Sequence, residues 1–175
     1  MTRINLKIIL FISFISFSNL GVSQQANNFA LEINESYQIT AENMYIEREN
    51  QIIAFSENVE LISNVHIEGN TKVGKGTKIF PFASIGTSPQ DLKYKGESNS
   101  LEIGENNMIR EYVTINPGTS GGGSKTIVGN NCLFMISAHI AHDCRVGDNV
   151  VIANNVPLGG HVTIEDSVVI GGNSA

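Results

Sequence analysis

From residue 128 onward a bulky apolar side chain recurs at every sixth position: Val128, Phe134, Ile140, Val146, Ile152, Leu158, Ile164 and Ile170. Four residues after these come small or aliphatic ones: Cys132, Ala138, Cys144, Val150, Val156, Val162 and Val168. Glycine often follows the apolar position directly, as in Gly129, Gly147, Gly159 and Gly171. Upstream, Val73, Ile79 and Ile85 keep the same beat, as do Ile103, Ile109 and Ile115. A period of six does not fit the 3.6-residue period of an α-helix. It fits short strands joined by tight turns, each strand sending one aliphatic side chain into a narrow prism. Three hexads close one triangular coil. Residues eighteen apart then stack on adjacent rungs, about 4.8 Å from each other. The expected fold is an all-β parallel β-helix of hexapeptide repeats.

Two polar, Gly/Pro-rich segments break the beat: "TSPQDLKYKGESNS" (residues 87–100) and "NPGTSGGGSKT" (residues 116–126). Both are expected as loops extruded from the prism, where function tends to reside. The "GGGSKT" run is not a phosphate-binding loop. A serine separates the last glycine from the lysine, and no helical pattern follows. It is expected to be a flexible surface loop.

Before residue 63 the grammar changes to period two. "YQITA", "MYIER", "IIAF" and "VEL" are short strand candidates, with "REN" (48–50) and "SEN" (56–58) as turns. Residues 24–62 are therefore expected as a short antiparallel β segment, too small to be stable alone. Residues 1–23 form a third unit. Arg3 and Lys7 precede the apolar run "IILFISFISF", and "GVS" precedes Gln24. That is the pattern of a secretory signal peptide. Residues 63–175 form the hexapeptide domain.

Composition adds little to this. Among 175 residues there are 17 glycines, no tryptophan and few aromatics, which suits a regular thin-walled β architecture. The net charge of −6 and the lack of a basic stripe argue against nucleic acid. Cys132 and Cys144 are twelve residues apart, hence at different corners of the prism, and both take the small-residue slot as core filler.

The candidate chemistry lies in "MISAHIAHDC" (residues 135–144). On an eighteen-residue coil His142 stacks against Gly160, and Asp143 against His161. That gathers His139, His142, Asp143 and His161 near one edge, with a bare glycine backbone beside His142. A histidine next to a carboxylate is the layout of a general base with a fixed tautomer. A glycine N–H nearby suits an oxyanion donor. Two other readings stay open at this point: solvated outer-face residues of the coil, or three histidines holding zinc, as in a β-helical enzyme of the carbonic-anhydrase type.

The runs "FASIGTSPQDLKYKGE", "IREYVTINPGTSGGGS", "MISAHIAHDCRVGDNVVIANN" and "LGGHVTIEDSVVIGG" give a sharper reading. Over residues 59–175 the chain resembles the acyl-carrier-protein-dependent UDP-N-acetylglucosamine O-acyltransferases that begin lipid A synthesis. The resemblance implies a left-handed parallel β-helix and a homotrimer with active sites between subunits. It implies His142 as general base toward the glucosamine 3-hydroxyl, which attacks the thioester of a 3-hydroxyacyl carrier protein. Asp143 would orient His142, and the Gly160 N–H would stabilise the oxyanion. Gln90, Asp91, Lys93, His139 and His161 would bind the sugar nucleotide. No metal or organic cofactor is implied, since the thioester is already activated. The family also has coils before residue 59, and further coils and a helical domain after the "GGNSA" end, so the chain reads as a truncated member.

The segment "ITAENMYIERENQIIAFSENVEL" is similar to the opening of periplasmic lipopolysaccharide-transport proteins of the OstA type. That resemblance implies a contact with lipopolysaccharide through the N-terminal segment. The two resemblances meet at residues 57–63, as in a fusion or a recombined, non-functional gene. They also disagree on compartment: the leader directs the chain to the periplasm, whereas the acyltransferase substrates are cytoplasmic.

Overall fold

The computed structural model describes residues 52–175 with their side chains. Of the first 51 residues it describes only the backbone of the strands Lys7–Leu10, Gln24–Gln25, Asn28–Ile33, Tyr37–Gln38, Asn43–Arg48 and the start of Gln51–Ser56. Apart from those strands, the expected signal peptide and the N-terminal resemblance up to residue 51 lie outside the described residues.

Three parallel sheets form the faces of a prism. The first face stacks Gln51–Ser56, Thr71–Val73, Ser100–Ile103, Lys125–Val128, Arg145–Val146 and Thr163–Ile164. The second stacks Glu60–Leu61, Lys78–Ile79, Met108–Ile109, Leu133–Phe134, Val151–Ile152 and Val169–Ile170. The third stacks Val65–Glu68, Ser84–Ile85, Thr114–Ile115, His139–Ile140 and Pro157–Leu158. The result is a left-handed parallel β-helix whose axis is filled by the six-residue beat. Most strands are two residues long, so one side chain points inward and its neighbour outward. Ile79, Ile109, Phe134 and Ile152 form one fully buried column, and Ile67, Ile85, Ile115 and Ile140 another. Each such side chain contributes about 1.5–3 kcal/mol by leaving water. Cys132 and Cys144 are buried free thiols, as their slot requires, and their Sγ atoms reach the carbonyls of Gly147 and Gly159. Burial raises both thiols above their ordinary pKa.

The register is eighteen residues wherever no loop intervenes: Ile67 pairs with Ile85, Ile140 with Leu158, Val128 with Val146. Across the first loop the spacing is thirty, Ile85 to Ile115, and across the second twenty-five, Ile115 to Ile140. Both segments are therefore extruded, and the ladder resumes in place. Lys125 and Thr126 belong to a strand rather than to the second loop.

The antiparallel segment differs from its expectation. Ile53 to Phe55 pair in parallel with Thr71 to Val73, and Glu60–Leu61 with Lys78–Ile79. The ladder thus crosses the boundary expected at residues 62 and 63. Antiparallel pairing is confined to what precedes: Asn43–Arg48 adds to Gln51–Ser56, Tyr37–Gln38 to Glu60–Leu61, and Asn28–Ile33 to Val65–Glu68. Lys7–Leu10 adds in turn to Asn43–Arg48, and Gln24–Gln25 to Asn28–Ile33, so antiparallel strands continue each sheet of the coil, two on the first and third faces and one on the second, in place of a separate meander. Period-two alternation has no direction of its own, so the pattern alone does not separate the two modes of pairing.

The corners repeat as well. One carries Asn106, Asn131, Asn149 and Ser167 with φ near +60°, and another carries Phe82, Tyr112, Ser137, Asn155 and Asn173. Asparagine tolerates the left-handed region because its short amide bonds locally. At the third corner the same slot is taken by Asp143 and His161, with φ of 61° and 65°.

Candidate active site

His139 opens the strand His139–Ile140 with its side chain on the outer face, while Ile140 fills the core. Its Nδ1 lies 2.7 Å from Thr114 Oγ1 on the rung below. Burial, then the nearby His142, lower the pKa of His139 and favour its neutral form.

His142 and Asp143 follow at the third corner. The Asp143 backbone N–H donates to Thr126 Oγ1 at 2.9 Å. Its carboxylate is 1 % exposed and fully engaged. Oδ1 accepts from the Thr119 N–H at 2.9 Å. Oδ2 accepts from Thr119 Oγ1 at 2.6 Å and from His142 Nδ1 at 2.8 Å. Burial pushes the Asp143 pKa upward, but the hydrogen bonds from Thr119 and His142 outweigh it and hold the carboxyl below its usual value. An ionised Asp143 accepts only, so the proton between the pair sits on Nδ1, and in the neutral ring Nε2 is the nitrogen that carries the lone pair.

On the next rung Gly160 closes against the imidazole. A Cβ there would stand 2.6 Å from His142 Nε2. The strand positions on either side are in register, and the His161 N–H donates to the His142 carbonyl at 3.0 Å. Among the described residues no acceptor engages the Gly160 N–H. His161 stands edge-on to His142, with ring centroids 5.0 Å apart and planes at 87°. Its Nδ1 is 4.0 Å from Asp143 Oδ2, too far for a hydrogen bond, and its side chain is 55 % exposed.

The expected residues thus divide into two groups. His139, His142, Asp143, Gly160 and His161 come together as the eighteen-residue spacing implies. Gln90, Asp91 and Lys93 lie in the first loop, where Asp91 Oδ1 accepts from the Lys93 N–H at 2.9 Å. The loops are latched to each other: the Ser120 N–H donates to Glu97 Oε1, and Asn99 Nδ2 to the Gly118 carbonyl. The second loop departs from the flexible surface segment expected of it. It folds back through a single 3-10 turn, Ser120–Gly122, and Thr119 is buried against Asp143. Gly122 lies so close to the Asp143 side chain that a Cβ would collide with it. Thr119, Thr126 and Thr114 were not foreseen, because their partners lie 17 to 25 residues away and two of the three contacts span a loop. The glycine run was the one available signal.

Ligating atoms of His142, Asp143 and His161 lie within 4.8 Å of one another. The geometry does not favour a metal there. Both Asp143 oxygens are occupied by donors, and a cation would have to strip them from a carboxylate that has no open face.

Residues 125–156 match the family model described as bacterial transferase hexapeptide (six repeats). An acyl-[acyl-carrier-protein]–UDP-N-acetylglucosamine O-acyltransferase of Rickettsia peacockii is 57 % identical over 93 residues, covering 53 % of this chain and 35 % of that protein. The protein of the same name from Helicobacter pylori is 57 % identical over 84 residues, covering 48 % of this chain and 31 % of that one. A crystal structure of a UDP-N-acetylglucosamine acyltransferase superposes with a TM-score of 0.68 at 54 % identity, covering 68 % of this chain and 46 % of the other. The chain spans about a third of the length of the curated relatives it matches. In sequence and in fold, the coil with its histidine-bearing rungs is similar to the UDP-N-acetylglucosamine O-acyltransferases.

Proposed function

We propose that the chain carries the reacting centre of an acyltransferase that moves a 3-hydroxyacyl group from acyl carrier protein to the 3-hydroxyl of UDP-N-acetylglucosamine, the first step of lipid A biosynthesis. The observation that carries this reading is the His142–Asp143 pair closed over by Gly160. His142 Nε2 takes the proton of the sugar 3-hydroxyl as that oxygen attacks the thioester carbonyl. Asp143 keeps Nδ1 protonated and balances the imidazolium that forms. The Gly160 N–H, which has no acceptor among the described residues, donates to the oxyanion of the tetrahedral intermediate. Collapse expels the carrier-protein thiolate, and the imidazolium returns its proton to that sulfur. The reaction needs no metal or organic cofactor.

His139 and His161 flank the base and bind the sugar nucleotide, together with Gln90, Asp91 and Lys93 from the first loop. Three copies of the chain assemble as a homotrimer that brings these loops to a neighbour's histidines. Substrates of this kind place the reaction in the cytoplasm. Support for the assignment comes from the shared fold and from the 57 % identity over 93 residues to an O-acyltransferase of that kind.

The test is direct. The chain is incubated with UDP-N-acetylglucosamine and 3-hydroxyacyl carrier protein, and release of the carrier thiol is followed. Transfer is expected, with a loss on the order of 10²–10⁴-fold in His142→Ala, the contribution of a positioned general base. Thiol release that persists unchanged in His142→Ala removes the proposed role.

A further inference from the structure

We infer that Thr119 is a positioning residue for the base: its hydroxyl fixes the Asp143 carboxylate so that Oδ2 meets His142 Nδ1. This inference rests on the acyl-transfer reading above. Asp143 Oδ2 receives two donors, Thr119 Oγ1 at 2.6 Å and His142 Nδ1 at 2.8 Å. The Thr119 N–H adds a forked bond, 2.9 Å to Oδ1 and 3.1 Å to Oδ2. The torsion that turns a carboxylate about its Cβ–Cγ bond is broad and nearly two-fold. The carboxylate plane is therefore set by its donors and not by a steep rotamer well. His142 is one of those donors and cannot orient the group that orients it. Thr119 supplies the independent reference.

Thr119 is suited to that task because it is itself held. Its carbonyl accepts from the Gly122 N–H at 3.0 Å and from the Ser124 N–H at 2.8 Å, which closes the turn around it. The preceding Gly118 carbonyl accepts from Asn99 Nδ2 at 2.9 Å, and the following Ser120 N–H donates to Glu97 Oε1 at 3.1 Å. Asp143 in turn is fixed at its backbone by Thr126. No side chain can replace the hydrogens of Gly122 without striking the carboxylate. The tautomer of the base is thus determined from the second loop, 24 residues upstream, and that loop is pinned to the first one, which carries Asp91 and Lys93. The other titratable groups facing the pair are His161 on the next rung, His139 on the preceding strand and the buried Cys144 thiol.

Thr119→Val keeps the shape and the backbone N–H but deletes the hydroxyl donor. Loss of a hydrogen bond to a charged group predicts a fall in kcat of about tenfold, with KM for the sugar nucleotide unchanged. Thr119→Ser, which restores the donor, should recover kcat. The direct readout is the ¹⁵N spectrum of His142 in the whole chain at mildly alkaline pH. Wild type and Thr119→Ser should hold the Nδ1–H tautomer, and Thr119→Val should drift toward a mixture. If Val at this site loses the folded spectrum, Thr119→Ala makes the same deletion with less bulk. A His142 tautomer that stays pure in the folded Val or Ala variant overturns the inference, whatever the activity. A tautomer that shifts in a chain without acyl transfer instead removes the reaction reading and leaves the positioning role standing.

Discussion

Gly160→Ala is the sharpest probe of the site, because the geometry predicts a large chemical effect with a small structural one. Gly160 does not use the left-handed region, so alanine costs nothing in backbone strain. The added Cβ would, however, stand 2.6 Å from His142 Nε2 and 3.0 Å from Nδ1. Side-chain carbons need about 3.5 Å or more, so the ring must retreat by roughly 1 Å. The corner backbone cannot give way easily, since the His161 N–H is bonded to the His142 carbonyl. A retreat of that size stretches the 2.8 Å bond to Asp143 Oδ2 beyond hydrogen-bond length. The charge-assisted bond contributes about 1.5–3 kcal/mol, and a misplacement of about 1 Å at a reacting group costs on the order of 10²-fold. We therefore expect kcat/KM to fall by about 10²-fold. Because the Gly160 N–H survives in the variant, the loss reports the displaced base and not a missing oxyanion donor. Thiol release from 3-hydroxyacyl carrier protein measures the rate, and circular dichroism with thermal melting checks that the coil persists. A folded Gly160→Ala protein within threefold of wild-type kcat/KM would refute the proposed juxtaposition of base and glycine.

Gly122→Ala should act from the opposite side, since its Cβ would strike the Asp143 carboxylate; a drop in kcat/KM of at least tenfold is expected in the same assay. Phe134 is fully buried on the prism axis, so Phe134→Ala should lower stability by about 3–5 kcal/mol, read by urea denaturation. An unchanged midpoint would contradict the assigned core. Glu97 is held at a pKa of about 2, against an ordinary 4.5, first by the backbone N–H of Lys95, then by its own N–H and that of Ser120. Because the folded value is depressed, its contribution is present above pH 4.5 and is lost as pH falls from there toward 2. Hydrogen exchange of the Ser120 amide should therefore show weakening protection across that window, beyond the intrinsic pH trend, and Glu97→Gln should abolish the dependence.

What could be read from the chain follows from which contacts are periodic. Val128 through Ile170 announce the coil because each rung repeats the same steric demand, and the stacking of His142 on Gly160 comes from the same arithmetic. The parallel pairing of Ile53 to Phe55 was not legible, since alternation is common to both strand directions and only the partner eighteen residues away decides. The grip of Thr119 on Asp143 was not legible either. It joins a corner to an extruded loop across 24 residues, with no repeat to mark it. Nor does spacing say that a run of glycines is there to admit a carboxylate. That demand becomes visible only when the loop is folded against the corner.

The coil resumes its alignment after detours of different length, thirty residues in one case and twenty-five in another, where eighteen would close a turn. Each storey is fastened by its own short ladder to the storey beneath, so an excursion at a vertex adds no error to the levels above. Such a scaffold behaves like a staircase whose landings can be enlarged singly while the treads stay aligned. The two enlarged landings, residues 87–99 and 116–124, are tied to each other through Glu97 and Asn99, so the treads stay aligned whatever their length while the grip of Thr119 on Asp143 depends on both.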